Sequence, residues 1–450
     1  MADNVSIVLH PAEPRVLLVA GNEGWGLPVH TASEAPDIRQ EMRARYGLDT
    51  TVLGTVGGRF LDEERDEASA IFALEAHGPP GSLPSDARWV GGDELARLPL
   101  ARPDERAVIE QRMREARGEP PPAQRVPWAR TGWLDTATAW IHEQLAGLGV
   151  TAVGGIAQVR IRPWSAVLRA TTDMGDVYFK AVAPAFAFEA PLTKTLAELW
   201  STHTPRVLAT DSERRWLLMA DAGGALRPAL MAGGDPAPYE AALGEFARFQ
   251  AATVPHVERL LALGCPDRRL ARLPALYTRV LDDCDTLLVG QAGGPSEEEY
   301  ARLRGAATEL SERCARLAGY GVPPAALHHD EITPGHVIAA SGGGYIFFDW
   351  GDSGITHPLC SLMMVLRWAR LVLHYDTVLL ARLRDAYLSP WAAYEPLERL
   401  REAASLASRL ALLCRALTWY EFIKQVEPGA RWEFDDSAAY FLGLFLKGEE

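Results

Sequence analysis

No stretch of this 450-residue chain approaches the roughly 18 consecutive apolar residues of a membrane helix, so no spanning helix is expected. The start, Met-Ala-Asp-Asn-Val, has no basic region ahead of a long apolar run, so a secretory leader is not expected either. Cysteine is scarce. Cys265, Cys284, Cys314, Cys360 and Cys414 are odd in number, widely scattered, and show no metal-ligand or redox spacing. They read as reduced thiols of a cytoplasmic protein. Positive charge is short as well: 45 Lys and Arg stand against 59 Asp and Glu, a net charge of −14. The chain therefore lacks the basic face that nucleic-acid binding needs, while a cationic ligand is compatible with it. Internal repeats and low-complexity tracts are absent. What is present is a globular composition, 48% apolar and 23% charged, in a chain too long for one ordinary core. Two or three domains are expected.

The clearest boundary is Gly118–Ala123, where three consecutive prolines (Pro120, Pro121, Pro122) predict a stiff, extended linker. It separates residues 1–117 from a C-terminal block, with 118–130 as the linker. In the first block, strands are expected at Val5–Leu9, Arg15–Val19, Thr51–Leu53, Ala70–Leu74 and Arg88–Val90. A turn-rich segment is expected at Trp25–Pro28. Helices are expected over Asp37–Tyr46, stopped by Gly47, and over about 103–116. The second block opens with a helix around Thr136–Leu148. Strands follow at Ala166–Arg169 and Asp176–Lys180 around the turn Asp173–Gly175, then a helix from Phe188 to Trp200 and strands at Arg206–Leu208 and Trp216–Met219. Beyond Asp221 the pattern is predominantly helical. This predicts a small β-rich lobe over 131–221 and a large α-rich lobe over 222–450.

The chemistry is concentrated in Leu327–Val337 (LHHDEITPGHV) and Ile346–Asp352 (IFFDWGD). Carboxylates beside histidines, a metal-side residue five positions on, and an acidic D-x-G at a strand end follow an order that recurs in enzymes moving a phosphoryl group from ATP, a reaction that is mostly positioning and charge neutralisation. Lys180 ends a strand, and Glu189 lies nine residues on, early in a helix. Together with Met219-Ala-Asp221 as an adenine-bearing hinge, these segments resemble the aminoglycoside phosphotransferase and choline kinase family over about residues 135–440. The resemblance implies a protein-kinase-like two-lobed fold and an ATP- or GTP-dependent kinase with Mg²⁺ or Mn²⁺. It places Lys180 on the nucleotide phosphates, Glu189 as its partner (Glu198 as a poorer one), and Ser165 in a phosphate-covering loop that lacks G-x-G-x-x-G. Met219 and Asp221 fall at the nucleotide, Asp349 on the metal with help from Asp352, and the acceptor is a small-molecule hydroxyl.

Two positions depart from the family pattern, which has His-x-Asp and an asparagine five residues after the aspartate. Counting back five from His336 makes Glu331 the base and His336 the metal-side residue. Counting from His328-His-Asp330 makes Asp330 the base, with the loop one residue longer. The first register is preferred because Pro334-Gly335 then precedes the metal-side residue, and His329 joins the catalytic group. Imidazole suits Mn²⁺ or Zn²⁺ better than Mg²⁺.

In the first block, Trp25–Pro28, the helix ending at Gly47 and Arg88–Val90 running into Asp93–Leu95 resemble the Nudix hydrolases over about residues 5–115. That resemblance implies an α/β sandwich. However, it sets Ala44 and Arg45 on the two adjacent metal-binding glutamates, with Glu41 and Gln40 before them. Hard cations want oxygen ligands, so a catalytically silent domain is expected, kept for packing, dimerisation or substrate shaping. Residual activity would fall to Glu41 with Glu34 or the run Asp62–Glu64, which otherwise reads as a solvated loop. The expected whole is an α+β protein, a Nudix-like sandwich followed by the kinase-like fold, phosphorylating a small molecule, with antibiotics the leading class. The rival reading is a module that binds nucleotide or metabolite without turnover.

Overall fold

The computed structural model describes residues 3–61, 67–78 and 81–448. The chain forms two compact units: residues 1–183 with 425–434, and residues 184–424 with 435–450.

The first unit is built on a mixed sheet. Its strands are β1 (Asn4–Leu9), β2 (Arg15–Gly21), β3 (Gly24–Gly26), β4 (Val29–His30), β5 (Asp49–Phe60), β6 (Ala68–His77) and β7 (Ala87–Gly91). They run in the order β3-β2-β1-β6-β5, with β4 added on β1 and β7 on β2. Only β1 and β6 are parallel; the other pairs are antiparallel. Trp25 and Gly26 lie in β3, so the first half of the segment expected as turn-rich is strand. Alternation along β1 and β2 sends Val5, Ile7, Leu9, Val16 and Leu18 into one cluster, closed by Ile109 and Met113. Ile109 and Met113 come from α3 (Arg106–Ala116), which follows the one-turn helix α2 (Gly92–Leu95). Helix α1 (Ala35–Tyr46) ends where expected, because Gly47 takes φ +66° and its N–H caps the Arg43 carbonyl.

The proline-rich stretch is anchored at its far end. Arg125 and Trp128 are buried, and the Trp128 indole donates to the Arg162 carbonyl at 2.9 Å. Helix α4 (Trp133–Gly147) leads into the antiparallel meander β8 (Ala157–Ile161), β9 (Ser165–Thr172) and β10 (Gly175–Val182). Residues 425–434 return to this unit: Glu427 pairs with Arg125 at 2.7 Å, and Trp432 packs on Phe60.

The second unit is mainly helical. Helix α5 (Glu189–Leu199) precedes the hairpin β11 (Val207–Asp211) and β12 (Trp216–Ala220). Then come α6 (Arg227–Met231), α7 (Ala237–Thr253), α8 (Val257–Ala262), α9 (Leu273–Leu281), α10 (Glu297–Gly305) and α11 (Ala307–Ala318). Two small antiparallel ladders follow: β13 (Ala326–His329) with β16 (Ser353–Thr356), and β14 (Val337–Ala339) with β15 (Tyr345–Phe347). Helices α12 (Leu362–Leu371), α13 (Thr377–Leu388), α14 (Leu397–Ile423) and α15 (Ser437–Lys447) complete it. Among the described residues, no helix is long and apolar enough to cross a membrane.

Candidate active site

Helix α7 fixes the strand that carries the acidic loop. Thr253 Oγ1 accepts from the Leu327 N–H at 3.0 Å, and Gln250 Nε2 donates to the Leu327 carbonyl at 2.8 Å. Tyr239 OH donates to the Ile332 carbonyl at 2.9 Å. Buried backbone groups need partners, and here side chains from one helix supply them. Beneath the loop lies an aromatic layer: Phe246 meets Phe347 at 5.2 Å and His329 at 6.3 Å, and His329 meets Trp350 at 4.9 Å.

The loop itself is defined by its histidines. His329 donates from Nε2 to the Phe348 carbonyl (3.1 Å) and accepts the Glu331 N–H at Nδ1 (3.2 Å), which describes a neutral ring. Burial, aided by neighbouring His336, holds its pKa down at about 4. His336 Nδ1 lies 2.7 Å from the Glu331 carbonyl and donates to it, so Nε2 is left as an acceptor, 3.4 Å from Asp349 Oδ2. Asp349 adopts φ 67° and ψ 61°, a left-handed conformation uncommon outside glycine and of the kind stored at functional sites. A Cβ on Gly335, in the turn before His336, would come 2.4 Å from the Arg227 guanidinium, the movable end of that side chain.

The two candidate bases differ in setting. Asp330 is 1% exposed, with its carboxylate 3.3 Å from His328 Nε2 and 3.4 Å from Thr418 Oγ1. Burial alone would raise its pKa; the His328 contact and the charge of Arg415 outweigh that and hold it low. The Glu331 side chain keeps 32% of its surface open. The surrounding protein pushes its carboxyl up against the pull of Arg415, with Asp352 and Asp349 adding to the push. That open surface limits the effect.

Arg415, from the middle of α14, was not singled out from the sequence. Its Nη1 is 2.7 Å from Asp352 and 3.6 Å from Asp330, and its Nη2 is 3.7 Å from Glu331. The only signal in the sequence is one arginine inside the apolar run Leu406–Leu417 (LASRLALLCRAL), alongside Arg409.

Glu189 also reaches this site: a Cβ on Gly351 would lie 3.0 Å from Glu189 Oε2. Glu198 is exposed and pairs with Arg259 at 3.7 Å. Met219 lies in β12, and Asp221 caps the following turn by accepting the Gly223 N–H at 2.9 Å. That segment runs on beside β14, where the Leu226 N–H donates to the Val337 carbonyl. Lys180 and Ser165 belong to the first unit. Lys180 is 9% exposed on β10, and it is one of only four lysines in the chain. Ser165 opens β9 at the turn from β8, 5% exposed. The sequence pattern missed β8, so this turn was not recognised as a hairpin. Among the described residues, no three His, Cys, Asp or Glu side chains converge as a metal site. A divalent ion here would take Asp349 and His336 and complete its shell with water or phosphate oxygens, as Mg²⁺-type sites do.

A family model described as the phosphotransferase enzyme family matches residues 162–400, more than half of the chain. The chain belongs to this family. Solved structures similar to the chain include the macrolide 2'-phosphotransferase from Brachybacterium faecium, 17% identical over 67% of this chain and 97% of that one, at a TM-score of 0.45. A choline kinase from Cryptosporidium parvum is 9% identical over 70% and 94%, at 0.49. A choline/ethanolamine kinase family protein from Mesorhizobium loti is 17% identical over 70% and 94%, at 0.46. No curated protein matches the chain.

Other sequence candidates lie elsewhere. Asp283 accepts from Lys424 (2.7 Å) and Tyr420 (3.0 Å). Against the upward push of its surroundings, these bonds hold its pKa at about 2. Asp282 pairs with Arg304 at 2.5 Å. This acidic cluster is therefore engaged in ion pairs of its own. Trp432 and Phe434 pack on Phe60 and Trp164 in the first unit. The run Asp62–Glu64 lies outside the described residues.

Proposed function

We propose that the chain is an ATP-dependent O-phosphotransferase acting on a hydroxyl of a small molecule, with antibiotics as the first class to test. The observation that carries this reading is that His336 joins the two loops inside the family-matched segment, its Nδ1 2.7 Å from the Glu331 backbone carbonyl and its Nε2 3.4 Å from Asp349. Glu331 is the open carboxylate, so it orients the acceptor hydroxyl and takes its proton. Asp330, buried and tied to His328, holds the loop. His329, neutral, fixes the Glu331 backbone and the Phe348 carbonyl. Asp349 and His336 hold the divalent ion, whose chemistry is to neutralise developing phosphate charge. A nitrogen ligand favours Mn²⁺ over Mg²⁺ there. Lys180 and Ser165 serve the nucleotide phosphates, Glu189 backs the metal loop, and Met219 to Asp221 carry the base of ATP or GTP.

The altered positions Glu331 and His336 favour one second reading, a binding module that holds nucleotide without turnover. A single pair of experiments separates the two. Thermal shift with ATP and GTP, each with Mg²⁺ and with Mn²⁺, is expected to show metal-dependent stabilisation. Product formation is then assayed across hydroxylated antibiotics. Glu331→Gln is expected to keep the nucleotide shift and lose about 10²-fold or more of turnover. Stabilisation without product from any acceptor favours the binding module, and no stabilisation with any pair removes both.

For the first 117 residues the supported reading is a catalytically silent Nudix-like domain, followed by the 118–130 segment and lobes over 131–221 and 222–450. Ala44 offers no ligand, Arg45 is spent on the Val29 carbonyl, and Glu34 pairs with Arg162. Such a domain suits a homodimer contact. The protein is proposed to be cytoplasmic, with neither nucleic acid nor membrane as a partner.

A further inference from the structure

We propose that Arg415 is a positioning residue that sets the Glu331 and Asp352 carboxylates relative to each other; this rests on the phosphotransferase reading above. The side chain is 8% exposed and projects from a helix whose neighbouring residues Leu412, Leu413, Cys414 and Ala416 are buried. A buried charge is costly, and a well-packed apolar side chain at such a position is often as stable or more so. Among the described residues its Nε has no hydrogen-bond partner, which adds to that cost. The guanidinium also lies 5.5 Å from the Trp419 ring and 6.0 Å from the Phe441 ring, contacts that an apolar side chain could make as well; the three carboxylates around it are what call for a charged fork.

The guanidinium is a rigid fork that stays charged at any working pH. One arm bonds Asp352 at 2.7 Å with Asp330 at 3.6 Å beyond it, and the other faces Glu331 at 3.7 Å. These distances sort the carboxylates. Asp352 is bonded and so removed from first claim on a metal. Glu331 lies beyond hydrogen-bond range, drawn toward the guanidinium but not locked, as a group that must reach for a hydroxyl should be. Asp349 faces His336 instead. One turn along α14, Thr418 takes a hydrogen bond from Arg268 at 2.7 Å and lies 3.4 Å from Asp330. The same helix face thus braces both loops.

The test uses the full chain. Arg415→Lys keeps the charge and loses the fork. It is expected to lower kcat about tenfold or more while KM for ATP and the nucleotide-induced thermal shift stay within about twofold. Wild-type kcat in Arg415→Lys overturns the proposal, as does an equal loss in kcat and nucleotide affinity. A second readout does not need turnover: a double-mutant cycle of Arg415→Met with Glu331→Gln, and with Asp352→Asn, on the unfolding equilibrium. Coupling of about fivefold or more in each cycle is expected, and additivity overturns the proposal. If the wild type forms no product while coupling persists, the phosphotransferase reading fails and Arg415 stands as the strut of a binding site.

Discussion

In the proposed metal site, the His336–Asp349 pair would set the metal preference at the level of single atoms. An asparagine at residue 336 would offer a hard amide oxygen in place of a nitrogen. His336→Asn is therefore expected to shift the preference from Mn²⁺ toward Mg²⁺ by about tenfold, read as the ratio of ATP-binding midpoints in the two metals. A different residue governs acid sensitivity. His357 is fully buried, with no hydrogen-bond partner for either ring nitrogen among the described residues, and burial pushes its pKa down to about 3. The unfolded chain therefore binds a proton first as pH falls below about 6.5, and stability is lost progressively between there and about 3. At pH 5 the loss from this residue is about 2 kcal/mol. Urea midpoints at pH 7 and pH 5 should differ less in His357→Leu than in the wild type. The His357 effect was not visible in the sequence, where the residue has no motif around it. Arg415 was equally silent, because what marks it is the company it keeps across 63 residues from Asp352.

At the scale of elements, the site depends on α7 and the aromatic layer above it. Phe246 is fully buried, touching Phe249, His329, Phe347 and Tyr387. Phe246→Ala is expected to cost about 3–5 kcal/mol and to lower nucleotide binding with it, read by urea unfolding and thermal shift on the same samples. Much of the element order was legible where the pattern was local. The Gly47 stop, the Asp173–Gly175 turn and the helix beginning near Phe188 each carry their signal within a few residues. Strand β8 was missed because a bulge between Gln158 and Arg160 breaks its alternation, and because Gln158, buried, spends its side chain on the Val52 backbone at 2.8 Å in both directions. Counting left both the Asp330 and the Glu331 register open, with Pro334-Gly335 favouring Glu331; their settings differ, one sealed and one open.

At the scale of the molecule, neither unit is a continuous piece of chain. Glu427 and Glu115 flank Arg125, whose side chain is 3% exposed, with Glu115 held through both oxygens at 2.6 and 3.0 Å. Arg112, also buried, joins them at 3.4 Å from Glu115, and burial together with the charge of Arg125 lowers its pKa to about 10. Glu427→Ala leaves two buried guanidiniums on one carboxylate and is expected to destabilise by about 3 kcal/mol, measured by urea unfolding. The proline-rich boundary at 118–123 gave no hint of this, since sequence composition marks where a chain bends and not where a distant segment comes back. The returning segment has a consequence in time. A ribosome adds roughly 5–20 residues per second, so after Ala183 emerges the first unit waits on the order of tens of seconds for Glu427. Until then Arg125 lacks one of its two carboxylate partners, and residues 425–434 are not there to pack on Phe60. The first unit is therefore incomplete until almost all of the second has been made.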